Sequence, residues 1–376
     1  EAPAVAGVVT ALIFFTFGKA LLSDLENHGL TVVLFFGLFG VMMWGSFGVV
    51  RHADAVAERL GEPYGTLVLT FSVIVIEVAL LAAIMLHGQN NPTLARDVMF
   101  ATLMIVLNGM VGTALLIGAL RYWEQECNLT GARSFLVVMS ALSIVALVLP
   151  KYTETAPSPV EAPGKALLFI AITILFYGVF IFIQTMRHGA FFAEPETRTD
   201  VPAKEPRGHA ANTGAETGAE TGAETTHSLA YHVVMLLLTL IPVVALSEYL
   251  AVIVDFGIED LGLPEPLGGL LIAILVLAPE GLTAFHAALA NHLQRAVNVC
   301  LGSALSTIGL TIPAVLIIGF LTNRDVHLGL SHVETVLLVV TLFVSGLTFA
   351  GGRTNVLQGA VHLLLFFVYV ALLFSP

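Results

Sequence analysis

The sequence predicts an all-α integral membrane protein of about 11 transmembrane helices, built as one extra helix followed by two inverted-topology five-helix repeats. Three observations predict it. Of the 376 residues, 57% are apolar and only 11% are charged, too little polar surface for a water-soluble chain of this length. Apolar stretches longer than about 18 residues recur along nearly the whole chain, and that length lets a helix cross a hydrocarbon core roughly 30 Å thick. A short motif leading to a glutamate inside such a stretch occurs twice, at an offset of 203 positions.

Taken in order, spans are expected near 4–22, 30–50, 65–87, 98–120, 132–150 and 165–187, each bounded by charged or Pro/Gly/Asn clusters. The first begins almost at Glu1 without a basic leader or a small-residue cleavage pattern, so it reads as a span and not as a signal peptide. A polar stretch from His188 to Ser228 carries three copies of Gly-Ala-Glu-Thr between Gly214 and Thr225. Such low-complexity sequence cannot bury a core and reads as a flexible linker. Five more spans follow near 229–254, 267–291, 297–321, 331–350 and 355–374. The expected organisation is an extra N-terminal helix and loop over 1–29, a first five-helix repeat over 30–187, the linker over 188–228 and a second five-helix repeat over 229–376.

Charge sets the expected orientation. Ten of the 15 basic residues, among them Arg51, Arg59, Arg121, Arg133, Arg295 and Arg353, fall in loops on the side of the N-terminus, and five fall on the other side. The positive-inside rule then places the N-terminus and the linker in the cytoplasm and the C-terminus in the periplasm, in a bacterial inner membrane. A net charge of −12 argues against nucleic acid and against tight binding to anionic lipid, and leaves metal cations and protons as partners within the lipid bilayer. Cys127 and Cys300 have no metal-ligand spacing, so neither a disulfide nor a zinc site follows. His286 and His292 stand six apart, off the helical spacing of a metal site, which argues against a zinc hydrolase. No motif calls for a cofactor.

The repeat is the strongest organising signal. Glu62-Pro63-Tyr64-Gly65 leads to Glu77 as Glu265-Pro266-Leu267-Gly268 leads to Glu280, with 15 positions from one glutamate to the next in both copies. The following loop is four residues shorter in the second copy, so the offset becomes 199 and pairs Arg96 with Arg295, Met104 with Ser303 and Asn108 with Thr307. Units of five helices, an odd number, must enter the membrane from opposite sides. That architecture lets a secondary transporter expose one midplane site to each side in turn.

Glu77 and Glu280 both lie deep within their spans, where a carboxylate costs several kcal/mol unless it is protonated, paired or lined by water. No Lys or Arg occupies the central part of any span, so the two must bind protons or a mobile cation. Neighbouring carboxylates repel when ionised and titrate as a pair, so protons and cations compete for one site. A calcium ion prefers six to eight hard oxygens and would be charge-balanced by the two glutamates; sodium could use a subset. Asn108, Ser303 and Thr307 on the helices that follow are candidate neutral ligands, the last two sharing one helical face. Helix-to-helix hydrogen bonding is the bland alternative for these three. Pro279 frees a carbonyl on the turn before it, and such carbonyls can coordinate a cation that lies in a cavity. Thr283 and His286 are candidates for lining a proton path, and Glu248 for a secondary proton site. Asp97 beside Arg96 reads as a charge pair at a helix end.

The segments 51–65 (RHADAVAERLGEPYG), 279–281 (PEG) and 291–313 (NHLQRAVNVCLGSALSTIGLTIP) resemble the bacterial calcium (sodium, potassium)/proton antiporters of the calcium/cation antiporter superfamily. The resemblance covers most of residues 30–375. It implies one extra helix plus two inverted halves, a cation site among helices 3, 4, 8 and 9, Glu77 and Glu280 as the central carboxylates, and Asn108, Ser303 and Thr307 at the polar ligand positions. Two departures stand out: the superfamily's Gly-Asn before the first glutamate is Val73-Ile74 here, and its Ser in the next helix is Met104. The first half is thereby poorer in oxygen ligands, which admits sodium or potassium as the ion. The expected function is exchange of cytoplasmic Ca2+, Na+ or K+ for external protons; the alternatives are an intramembrane carboxylate enzyme and a passive cation channel.

Overall fold

In a bilayer the backbone must satisfy its hydrogen bonds within each segment, so the apolar stretches fold as helices. The computed structural model describes residues 1–23, 25–60, 64–87, 92–152, 163–184, 227–260, 262–351 and 353–374. Glu62, Pro63 and nearly all of the linker, including its Gly-Ala-Glu-Thr copies, lie outside the described residues.

Among the described residues the chain forms 11 helices. The extra helix is α1 (Ala2–Leu22), and the first half comprises α2 (His28–Leu60), α3 (Tyr64–His87), α4 (Leu94–Tyr122), α5 (Leu129–Tyr152) and α6 (Pro163–Phe182). The second half comprises α7 (Leu229–Asp260), α8 (Pro266–Leu289), α9 (Leu293–Thr322), α10 (His332–Thr348) and α11 (Val356–Leu373). Among the described residues, nine helices are long and apolar enough to cross a membrane, and shorter apolar helices occur at Thr70–Ala83 and His332–Thr348.

Helix α2 continues to Leu60, well past the expected end of its span near residue 50. The apolar run stops there, but residues 51–60 are rich in Ala, Arg, Glu and Leu, good helix formers, with no Gly or Pro to break the turn. Hydropathy marks where a helix leaves lipid, not where it ends. A second departure is invisible in composition: α4 passes through a π-helical turn at Ile105–Met110 and α9 through one at Thr307–Thr311. Asn108 and Thr307, partners under the 199 offset, both lie in these turns. A π turn inserts one residue and re-aims the side chains around it, and such turns concentrate at functional sites.

Helices α4, α8 and α9 are the most enclosed, whereas α1, α6 and α11 present most of their length outward. Close approach depends on glycine at two crossings. A Cβ on Gly269 of α8 would lie 2.8 Å from the backbone of Asp97 and Val98 in α4, and one on Gly359 of α11 would lie 2.6 Å from the Leu116 amide nitrogen of α4. With α8 held so tightly against α4, the two halves meet around Glu280.

One end of the bundle is tied by polar bonds between the halves. The strands β1 (Gln125–Glu126) and β2 (Arg353–Thr354) pair antiparallel. The buried Gln125 amide donates to the Ala288 carbonyl at 3.1 Å and to Asn291 at 2.9 Å, and the Tyr122 hydroxyl donates to the Leu289 carbonyl at 2.8 Å. Arg133 donates to the carbonyls of Phe349 and Ala350 at 3.1 and 2.6 Å. At the start of α4, Arg96 and Asp97 pair at 2.7 Å, as their position in the sequence suggests.

Candidate functional site

Glu77 and Glu280 stand near the middle of 24-residue helices, α3 and α8. Apolar residues surround both on their helices, Ile76 and Leu80 near Glu77 and Val276 and Leu277 near Glu280, so each carboxylate is carried into the bundle by the burial of its neighbours. The two lie within electrostatic reach of each other, and Asp54 of α2 lies within reach of Glu280.

Each carboxylate meets one hydroxyl. The Thr307 hydroxyl of α9 donates to Glu77 Oε2 at 3.0 Å, a bond between the two halves, and the Ser303 hydroxyl donates to Glu280 Oε2. Ser303 and Thr307 reach the two glutamates from adjacent turns of one helix. Glu77 is 2% exposed, and its second oxygen, Oε1, is buried without any hydrogen-bond partner. Glu280 is half-buried. The Thr311 hydroxyl, one turn beyond Thr307, is also buried without a partner. A buried acceptor left unpaired costs on the order of 1–3 kcal/mol, more if it is charged, so a native site that keeps one has a use for it.

Asn108 bonds to neither carboxylate among the described residues. Its amide Nδ2 donates to the Thr341 hydroxyl of α10 at 2.9 Å, and its Oδ1 meets Nδ1 of His362 in α11 at 3.1 Å. His362 in turn meets the Thr348 hydroxyl through Nε2 at 3.0 Å. Asn108 and His362 are both wholly buried. The structure thus brings together four of the five expected site residues and turns the fifth toward a polar cluster that the sequence reading missed. The signal for that cluster was present: a histidine inside the last apolar run carries the same burial cost that flags an intramembrane glutamate.

Other candidates fall outside. His286 and Glu248 are exposed on their helices, and the Thr283 hydroxyl is bonded to the Pro279 carbonyl at 3.0 Å. Among the described residues no three His, Cys, Asp or Glu side chains gather as a resident metal centre requires. What α3, α8 and α9 assemble is two carboxylates and two hydroxyls, six hard oxygens in side chains, inside the helix bundle. Such a set can hold a dehydrated cation or take up protons, and either occupant satisfies the orphaned oxygen of Glu77.

The chain is similar to known proteins along most of its length. The model of the sodium/calcium exchanger protein family matches residues 30–186 and 231–375. The sodium-potassium/proton antiporter ChaA of Escherichia coli is 36% identical over 370 residues, 98% of this chain and 94% of that protein. The Ca(2+)/H(+) antiporter of Aphanothece halophytica is 24% identical over 283 residues, 71% of this chain and 70% of that protein. Among solved structures, the Ca2+/H+ antiporter protein YfkE superposes with a TM-score of 0.70 at 20% identity, covering 100% of this chain and 98% of that one, a likeness of fold.

Proposed function

Because the chain belongs to the sodium/calcium exchanger protein family, we propose that it exchanges a cytoplasmic cation, Ca2+ or else Na+ or K+, for external protons at a single midplane site formed by Glu77 and Glu280. It is a multi-pass membrane transporter, and its relatives are antiporters, not enzymes. The observation that carries the reading is the unpartnered, wholly buried oxygen of Glu77, beside a carboxylate at the repeat-related position.

Coupling follows from competition for charge. With the cation bound, both carboxylates are ionised and the ion balances them, aided by the hydroxyls of Ser303 and Thr307. With protons bound, the carboxyls are neutral and offer a cation nothing that repays its lost hydration. An empty, doubly ionised site carries two uncompensated charges in a medium of low dielectric, so the halves change exposure only when loaded. Each reorientation therefore carries either the cation or the protons, and their opposed movement is antiport. The two halves, 30–187 and 229–376, rock about the site, in an inner membrane with the N-terminus and linker in the cytoplasm and the C-terminus in the periplasm. Ca2+ takes six to eight oxygens, so the six side-chain oxygens need at most a carbonyl or water to complete its shell. The identity to ChaA keeps Na+ and K+ as the alternative ions.

The test is dequenching of acridine orange in acid-loaded inside-out vesicles, with Ca2+, Na+ or K+ added separately. The wild-type chain releases protons on addition of its cation, and both Glu77→Gln and Glu280→Gln abolish the release while still inserting in the membrane. Release that persists in both variants would remove the glutamates from the mechanism.

A further inference from the structure

We propose that His362 is a specificity-determining positioning residue that holds the amide oxygen of Asn108 out of the cation's shell. This rests on the two-glutamate site proposed above. Asn108 occupies the position equivalent to Thr307 under the 199 offset, and the two residues lie in matching π turns. Thr307 reaches across to the glutamate of the opposite half. By the symmetry of the repeat, Asn108 would reach Glu280, and the turn that carries it is close by: Met110 packs against Gly281, the neighbour of Glu280, 3.7 Å from where a Cβ would stand.

The amide is turned the other way because α10 takes one end of it and α11 the other. Nδ2 donates to Thr341, and Oδ1, the one side-chain atom of Asn108 that could ligate a cation, accepts from His362 Nδ1–H. That tautomer leaves Nε2 as an acceptor, and the Thr348 hydroxyl fills it. The sulfur of Met104, at the position equivalent to Ser303, pads the same cluster, 3.6 Å from Asn108 Nδ2 and 3.7 Å from the Thr341 hydroxyl. Both first-half positions whose mates serve the carboxylates are thus committed to α10 and α11. The site is left with an asymmetric shell of six side-chain oxygens. Adding one neutral oxygen favours the ion that wants more ligands, Ca2+, over a monovalent one.

The experiment measures the KM for Ca2+ and for Na+ in the same vesicles, at one pH, for His362→Leu, His362→Gln, Thr341→Val, Asn108→Ala and the His362→Leu/Asn108→Ala double variant. Freeing the amide lowers KM for Ca2+ relative to Na+ by about tenfold in His362→Leu, the change worth roughly one hydrogen bond. Thr341→Val, which frees the other end of the amide, moves the ratio the same way and carries the test if His362→Leu fails to assemble. His362→Gln retains an N–H donor and an acceptor and keeps the wild-type ratio. The double variant matches Asn108→Ala alone, because His362 acts only through Asn108. An unchanged ratio in both His362→Leu and Thr341→Val, or a shift that survives in the double variant, overturns the proposal. Loss of exchange in Glu77→Gln and Glu280→Gln, measured alongside, separates that failure from a failure of the two-glutamate site.

Discussion

Replacing Thr307 with valine removes one hydroxyl while keeping the shape of the side chain, so no cavity opens in α9. The hydroxyl lies 3.0 Å from Glu77 Oε2, and among the described residues no other donor makes a hydrogen bond of ordinary geometry to this carboxylate, the Thr311 hydroxyl lying nearby without one. Glu77 is 2% exposed, so water does not replace the lost donor. A hydrogen bond to a charged group is worth about 1.5–3 kcal/mol, and the ionised, cation-bound form of the site is the one that needs it. Converted at about 1.4 kcal/mol per factor of ten, the apparent affinity for the transported cation falls roughly ten- to hundredfold. The assay is the concentration dependence of cation-triggered proton release at fixed pH, with Thr307→Ser as the control that restores the hydroxyl. Wild-type affinity in Thr307→Val, or loss in the serine variant equal to that in valine, would refute the role given to this bond.

Three further outcomes test the packing and the ends of the helices. Gly359→Ala forces a Cβ to within 2.6 Å of the Leu116 amide nitrogen, so α11 must shift from α4, and thermal unfolding in detergent should reveal a loss of about 1–3 kcal/mol; an unchanged melting temperature would contradict the close crossing. Ser331→Ala removes the capping box that Ser331 forms with Glu334 at the start of α10 and should cost about 0.5–2 kcal/mol in the same measurement, with function of the surviving protein intact. Burial pushes the Cys127 thiol, in the loop between α4 and α5, up to about 11. Little thiolate is therefore present at neutral pH, and iodoacetamide should modify Cys127 only after unfolding, as peptide mass spectrometry would report; rapid labelling of the folded chain would show the thiol to be accessible.

The parts of the fold that the sequence disclosed are those set by transfer from water to lipid. Eleven apolar runs appear as 11 helices among the described residues because an apolar run in lipid must satisfy its own backbone hydrogen bonds. Glu77 and Glu280 were legible for the converse reason, since charge at that depth is too costly to be incidental. Ser303 and Thr307 drew notice as two hydroxyls four apart on one face of the helix that follows Glu280, and the structure sets one against each glutamate. The end of α2 was missed because hydropathy reports lipid contact and α2 outruns it. The π turns at Ile105–Met110 and Thr307–Thr311 have no compositional mark, since they depend on how neighbouring helices trap an extra residue. For Asn108 the residue type drew notice, but its partner His362 is 254 positions away in another helix, beyond the reach of any local pattern.

The polar tie at the end of the bundle also bears on how freely this chain can vary. Four of its bonds land on main-chain carbonyls, those of Ala288, Leu289, Phe349 and Ala350, while the donors are the side chains of Tyr122, Gln125 and Arg133. A carbonyl is offered by every residue, so the accepting positions can exchange side chains and keep the tie so long as their backbone path is held. The donors have no such freedom, because a shorter side chain, or one without the N–H or O–H, cannot span the gap. Selection on this end of the molecule therefore falls unequally on two surfaces that touch, rigid in identity on one and rigid only in shape on the other.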